Sequence, residues 1–419
     1  MSLLRIRHLC SDHVWNRSQK IMGRIIDFRI SERRLSGLVI NSDNTFFYNP
    51  HLLNDGDMFC DCVGFREGVP CSHILALLRR ARFEGIDVER FISALLGEYT
   101  ESDEEMIYET SIEGYNKLFG GLRGGRHVSC AFAEPEVGKS YLNATFMVDM
   151  ALKHNASSLV IDTEGGFAPE WIELISEARG EKVNVEFIDW RVRVDVTNTS
   201  GKTPSISHKP IFDYKKLKIT KPDKPTVYIY DARNIVQILP FFGRPISFKI
   251  KTGVIEPIEH AGTTSIWESP IGRIVETCGI KYVANDSLSA PLESFFTGGQ
   301  INYRTRTKAT QVWLGRAQDL IDEYKVVFMN TVHATINHSN PYAVPEPVGG
   351  KAVLHNNKYI AFIEKYESKK VAKDADVEWR NLRKMSIYRH MTEGAWSGDC
   401  YLLTTDHGVI DFDREQYIN

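Results

Sequence analysis

The octet Ala133, Glu134, Pro135, Glu136, Val137, Gly138, Lys139 and Ser140 carries the densest chemical signal in the chain. It fits the phosphate-binding loop pattern, with Ala in a first slot that accepts Gly or Ala. In that pattern backbone N–H groups wrap a phosphate chain at a helix N-terminus, where aligned peptide dipoles favour negative charge. Lys139 would neutralise the β- and γ-phosphates and the Ser140 hydroxyl would hold Mg²⁺, so the cofactors expected here are ATP and Mg²⁺. The chemistry needs a strand before the loop and a helix after it. A β-type run spans 126–132 and a helical run spans 141–152, so Tyr141 completes the set of nucleotide contacts. The alternative is a chance match in an ordinary strand–helix loop.

Two carboxylates stand where such a site needs them. Val160-Ile-Asp-Thr-Glu164 and Ile280-Lys-Tyr-Val-Ala-Asn-Asp286 both read as strands ending in an acid. Open α/β sheets bind their ligands at the carboxyl ends of strands. Nucleotide hydrolysis needs one carboxylate near Mg²⁺ and commonly a second that orients water. Asp286 is assigned to the Mg²⁺ shell with Ser140, and Glu164 to water activation. A capping or surface carboxylate is the alternative for Glu164.

A separate cluster suits a different ion. Of seven cysteines, three fall within 60–71. Cys60 and Cys62, then Cys71 and His73, form two close pairs that can converge tetrahedrally on one Zn²⁺. Gly64, Gly68 and Pro70 supply turns between them, and Cys71 and His73 open a helix. So small a module buries little core, and bound metal would contribute directly to its folding. Four reduced residues without metal are the alternative.

The elements that must position these groups follow a recognisable rhythm. A length of 419 residues predicts two or three domains. Residues 1–96 form one small module: β-type runs at 35–40 and 45–48 make a hairpin, and helices follow at 71–82 and 88–96. Residues 97–106, GEYTESDEEM, read as an acidic linker. Residues 107–419 form the remaining domain, in which strands and helices alternate from 107 to 186 and again from 276, predicting an α/β fold on a mostly parallel sheet. Residues 187–275 break that alternation and read as a β-rich insertion. Nothing approaches eighteen apolar residues in a row, and no signal-type apolar segment opens the chain, so the expectation is a cytoplasmic protein with no membrane partner. A net charge of −3 excludes a uniformly basic nucleic-acid binder. Basic residues do cluster within 1–40 and at 215–224, where phosphate contact and a solvated face are both open.

Phe59-Cys-Asp-Cys62 followed by Pro70-Cys-Ser-His-Ile-Leu-Ala-Leu77 resembles the SWIM zinc module, whose pattern is CxC, a variable gap, then CxH. That resemblance spans roughly 30–82 and implies contacts with DNA or protein, without catalysis. Farther on, Ser111-Ile-Glu-Gly-Tyr-Asn-Lys-Leu-Phe-Gly-Gly-Leu-Arg-Gly-Gly125, the loop at 133–140, Asp162-Thr-Glu-Gly-Gly-Phe-Ala-Pro-Glu170, Asp286-Ser-Leu-Ser289, Asn330-Thr-Val-His-Ala334 and Pro347-Val-Gly-Gly350 with His355 together resemble the RecA/RadA recombinase superfamily. The likeness covers roughly 107–186 and 276–410 and is closest to the archaeal RadA branch and its paralogues. It implies a RecA-like core whose twisted sheet carries the phosphate loop.

The resemblance also implies two loops facing single-stranded DNA. The first falls near 295–303, with Gly298 and Gly299 followed by Arg304, Arg306 and Lys308. The second falls near 333–351, with Gly349, Gly350 and Lys351. Glycine-rich loops beside basic side chains suit phosphate-backbone contact without base reading, although surface connections remain the alternative. Phe91-Ile-Ser-Ala94 fits the FxxA plug of recombinase linkers, which would give self-assembly, but its spacing also describes any amphipathic helix face. The chain departs from the family at Thr331, where a γ-phosphate-sensing Gln is expected, and at Asn285, where an apolar residue is usual. Ala168 and Trp171 replace basic residues near the adenine; Trp171 either stacks on the base or belongs to the core. These departures imply slow, Mg-dependent ATP hydrolysis by a paralogue that assists recombination or repair alongside a recombinase or another paralogue. A KaiC-like or RadB-like regulatory ATPase and a nucleotide-binding scaffold are the rival readings.

Overall fold

A computed structural model of the chain describes all residues except 1, 31–33, 41–46, 49, 54–57, 61, 63–68, 97–105, 126, 191, 198–204, 211–219, 245–246, 252–253, 259–264, 292–302, 336–344, 350, 391–396 and 418–419. It divides into two compact units, Met1–Glu104 and Glu105–Asn419.

In the first unit, strands Ile25–Ile30, Arg34–Ile40, Phe47–Tyr48, His51–Leu53 and Met58–Phe59 form an antiparallel sheet. The expected hairpin is present, with Val39 opposite Tyr48 and Ile40 opposite Phe47. The helix Ser72–Phe83 turns Ile74, Leu75, Leu77 and Leu78 into a core with Leu35, Val39 and Leu52. Phe91, in the helix Glu89–Leu95, is fully buried in that same core. Its burial matches the amphipathic-face reading of the FxxA tetrad.

The second unit is α/β. Ten strands of its main sheet are numbered here in chain order: β1 Val128–Ala133, β2 Ser157–Asp162, β3 Asn184–Phe187, β4 Thr226–Asp231, β5 Ile280–Asp286, β6 Val327–Thr335, β7 Asn357–Lys365, β8 Leu382–Arg389, β9 Asp399–Thr405 and β10 Gly408–Asp411. Their spatial order is β3-β4-β2-β5-β6-β1-β7-β8-β9-β10. Pairing is parallel from β3 to β7 and antiparallel beyond it, and a short strand Glu346–Pro347 pairs with β6. Every residue of β1 and β2 is buried, as expected for parallel strands covered on both faces. Alternate residues feed two cores. Cys130, Phe132, Leu159 and Ile161 join one, with Trp313 and Leu320 of the helix Tyr303–Tyr324. Ala131, Ala133 and Val160 join the other, with Leu142, Phe146 and Met147 of the helix Lys139–His154.

The stretch 187–275 corrects the sequence reading. It is not a single insertion, because β4 lies inside it and pairs in parallel with both β2 and β3. Among the described residues, the inserted material is two hairpins, Val192–Thr197 with Ser205–Pro210 before β4, and Ser247–Lys251 with Val254–Ile258 after the helix Ile235–Phe241. Together they form a separate four-stranded sheet. The run Thr226–Asp231 is short, and its lysine- and proline-rich approach masks a strand that is buried along nearly all its length. At the expected linker, Met106 already opens the strand Met106–Tyr108, which pairs with Leu122–Gly124; residues 97–105 lie outside the described residues. Among the described residues no helix is long and apolar enough to cross a membrane.

Candidate functional site

The phosphate-loop octet joins the end of β1 to the helix Lys139–His154, which starts inside the motif. Glu134, Pro135 and Glu136 are exposed, while Val137 and Lys139 are buried. Two left-handed positions curl the chain, Glu136 at φ 61° and Gly138 at φ 107°. A side chain at Gly138 would be strained whatever the space around it. The amides of the first helical turn have no partner in their own helix, so they are free for an anion. Lys139 Nζ donates to the carbonyls of Ala133, at 3.2 Å, and Glu134, at 2.9 Å. Burial lowers the Lys139 pKa, and the carboxylates of Asp286 and Glu164 oppose that shift. Tyr141 points elsewhere: its hydroxyl donates to the Thr405 carbonyl at 2.8 Å. Its ring meets Trp171 edge-on, and Trp171 packs likewise on Phe167.

Asp286 ends β5, separated from β1 by the single strand β6. Two inter-strand spacings make a gap of about 10 Å between the backbones. Ser140, on the near turn of the helix, reaches toward it, and its hydroxyl favours the charged form of the Asp286 carboxylate. Thr331 on β6 donates a hydrogen bond to Asp286 Oδ1. Burial nevertheless raises the Asp286 pKa against these two hydroxyls, and Glu164 and Asp162 raise it further. A buried acid among other acids is relieved by a cation. The donors here, one hydroxyl and one carboxylate, are hard oxygens of the kind Mg²⁺ takes.

Glu164 is presented by a turn that Asp162 builds. The Asp162 carboxylate accepts the amides of Glu164, Gly165, Gly166 and Phe167 at 2.8–3.3 Å. The tips of β2 and β5 are laced together. Thr163 N–H donates to the Asp286 carbonyl, Thr163 Oγ1 donates to the Ser287 carbonyl, and Ser287 N–H returns a bond to Thr163 Oγ1. Glu164 Oε1 then accepts the Ser287 hydroxyl at 2.6 Å and lies 3.2 Å from His333 Nε2 on β6. The His333 bond, with the Ser287 bond adding to it, holds the Glu164 carboxyl below its ordinary range despite partial burial. Lys139, Ser140, Glu164 and Asp286 are therefore gathered at the carboxyl edge of one sheet. Ser287, Thr331 and His333 join them; the sequence marked Thr331 only as a departure at the γ-phosphate-sensing position and His333 only as the start of the second DNA-facing loop.

Asn285 is accommodated by a buried amide relay across three strands. Asn285 donates to Asn330, Asn330 to Asn357, and Asn357 to the Val353 carbonyl, at 2.8, 3.2 and 2.8 Å. No protein-family model matches this chain, and no curated protein sequence matches it.

The residues expected to face DNA are not brought into one described surface. Gly298, Gly299 and Gly350 lie outside the described residues. Arg304, Arg306 and Lys308 lie on the helix Tyr303–Tyr324, and Lys351 opens the helix Lys351–Asn356. Gly349 adopts a left-handed φ of 98° just before that helix.

In the first unit, Cys60 follows the strand Met58–Phe59, Cys71 is the N-cap of the helix Ser72–Phe83, and His73 sits in its first turn. The ligand atoms of Cys60, Cys62, Cys71 and His73 all lie within 4.8 Å of one another. His73 presents Nδ1, 3.6 Å from Cys60 Sγ and 4.0 Å from Cys71 Sγ, with its ring stacked on Tyr48. Tetrahedral Zn²⁺ with 2.3 Å thiolate bonds sets its sulfurs about 3.8 Å apart, so a slight contraction closes this cage. The two free thiols act on each other, raising the Cys60 pKa and lowering that of Cys71, whose thiolate the amides of His73 and Ile74 also favour. The four residues could hold a metal ion such as zinc.

Proposed function

We propose that this chain is an ATP-binding paralogue of the RecA/RadA type, carrying a SWIM-like zinc module and assisting homologous recombination or repair on single-stranded DNA. The observation that carries the nucleotide reading is the gathering of Lys139, Ser140, Glu164 and Asp286 at the carboxyl edge of the sheet, where both carboxylates act on Lys139 and the Ser140 hydroxyl favours the charged form of Asp286. Mg²⁺, when bound, supplies charge neutralisation for the phosphates. Ser140 and Asp286 would hold it, and Lys139 would exchange its loop carbonyls for phosphate oxygens. Glu164, kept ionised by His333 and Ser287, would orient a water and accept its proton. Thr331 is engaged with Asp286, which fits slow turnover in a site lacking the family's Gln. The DNA assignment rests on the resemblance of the loop sequences.

The test is steady-state ATP turnover in Mg²⁺, with and without a single-stranded oligonucleotide at low salt, alongside oligonucleotide anisotropy. Slow turnover and salt-sensitive DNA binding, both lost in Lys139→Ala, support the proposal. Nucleotide binding without any low-salt DNA affinity would replace it with the regulatory reading. Absence of nucleotide binding by the wild type ends it.

A further inference from the structure

Among the described residues, Arg383 in β8 has no acid to answer it. It is 9% exposed, and among those residues its guanidinium donates only to backbone carbonyls: Nε to Val137, and Nη1 to Arg380 and Leu382. No carboxylate pairs with it among the described residues, and burial alone shifts its pKa, downward. Leaving a buried charge without a counter-charge is costly, so a chain retains one where a negative group belongs nearby. Val137 lies in the middle of the phosphate loop.

The bond to Val137 has a directional consequence. The carbonyl of Val137 and the N–H of Gly138 belong to one planar trans peptide and point to opposite sides of it. Fixing the carbonyl on the Arg383 side therefore turns the Gly138 N–H away from β8. Gly138 itself is left-handed, and the space a Cβ would occupy there is open. We propose that Arg383 is a positioning residue of the phosphate site, clamping the Val137 carbonyl so that the Gly138 N–H faces a bound nucleoside di- or triphosphate. This proposal rests on the nucleotide reading above. It adds a second fixed positive charge close behind the loop, besides Lys139. A rigid planar fork sends its donors in fixed, diverging directions; a lysine ammonium would keep the charge without that geometry.

The experiment is binding of N-methylanthraniloyl-ADP with Mg²⁺ to the full chain and its variants, with melting temperatures measured in parallel. Arg383→Met is expected to weaken affinity about tenfold or more, as loss of one charge-assisted bond implies, and Arg383→Lys by less. Ethylguanidinium added to Arg383→Ala should recover affinity, whereas Lys139→Ala should not respond to it. Wild-type affinity in Arg383→Met and Arg383→Lys, whatever their melting temperatures, would overturn the role. So would lost affinity that tracks lost stability and ignores ethylguanidinium. If the wild type binds nucleotide and these variants bind equally, only the role of Arg383 falls; if the wild type fails to bind, both readings fall.

Discussion

The two candidate sites of this chain stand in opposite relations to their scaffolds. In the second unit the scaffold precedes the site. A sheet with two apolar faces is complete before any ligand arrives, and Lys139, Glu164 and Asp286 are collected at its carboxyl edge. In the first unit the site is part of the scaffold. Cys60 and Cys71 are counted among its buried core residues, and His73 stacks on Tyr48 between sheet and helix. The difference teaches where ligand binding energy goes. A ligand at the sheet edge would order a loop, whereas an ion in the cysteine cage would fasten a fold.

The largest expected effect breaks that contrast directly. Chelating metal from the full chain, or substituting Cys60→Ser, should unfold the first unit and leave the melting of the second unchanged. Structural zinc contributes on the order of 10 kcal/mol in small zinc-dependent peptides, enough to decide whether so small a unit folds. Calorimetry would show one of two transitions lost. A first transition indifferent to chelator would mean that the apolar core around Leu35, Leu52 and Leu77 suffices, and the contrast would collapse.

Glu164→Gln probes the other side. The carboxylate lies on a preformed edge, so its loss should spare both the fold and nucleotide affinity. Turnover should fall about a hundredfold or more, the usual worth of a positioned general base. Single-turnover hydrolysis measured beside nucleotide affinity separates these outcomes. Unchanged turnover would remove the water-activating role, and a lost fold would show that the edge is as structural as the cysteine cage.

What was legible in the sequence was local. The phosphate-loop pattern stood out because its residues are contiguous, and Asp286 because an acid closes its apolar run; β2 itself ends at Asp162, and Glu164 follows in the turn beyond it. The cysteine pairs were legible by spacing alone. Ser287, Thr331, His333 and Arg383 were not, because their roles come from register. Thr331 reaches Asp286 only since β6 runs between β5 and β1, and Arg383 reaches Val137 across 246 positions of chain. Strand β4 was missed for a related reason. A short apolar run has no period to betray its neighbours, and only parallel pairing with β2 and β3 makes it part of the sheet. The helix after the phosphate loop begins two residues ahead of the apolar pattern, because the left-handed Gly138 starts it within the motif.

His333→Ala gives the smallest expected effect and the finest test of how the sheet edge is tuned. His333 is the leading cause that holds the Glu164 carboxyl below its ordinary range. A depressed carboxyl contributes stability that is present above its unfolded pKa and lost as pH falls through its folded pKa. If Glu164 is the base proposed above, its lowered pKa keeps it ionised to lower pH than an ordinary glutamate. Removing His333 should raise the Glu164 pKa and move the acid limb of kcat/KM to higher pH. The Ser287 bond remains, so the shift should be partial. Because the Glu164 side chain is 41% exposed, solvent screens the pair, and turnover at pH 8 should change by less than about fivefold. A pH–rate profile of the variant superimposable on that of the wild type would mean that Ser287 and burial alone set the base. An equal loss at every pH would instead assign His333 to holding the β6 strand end in place.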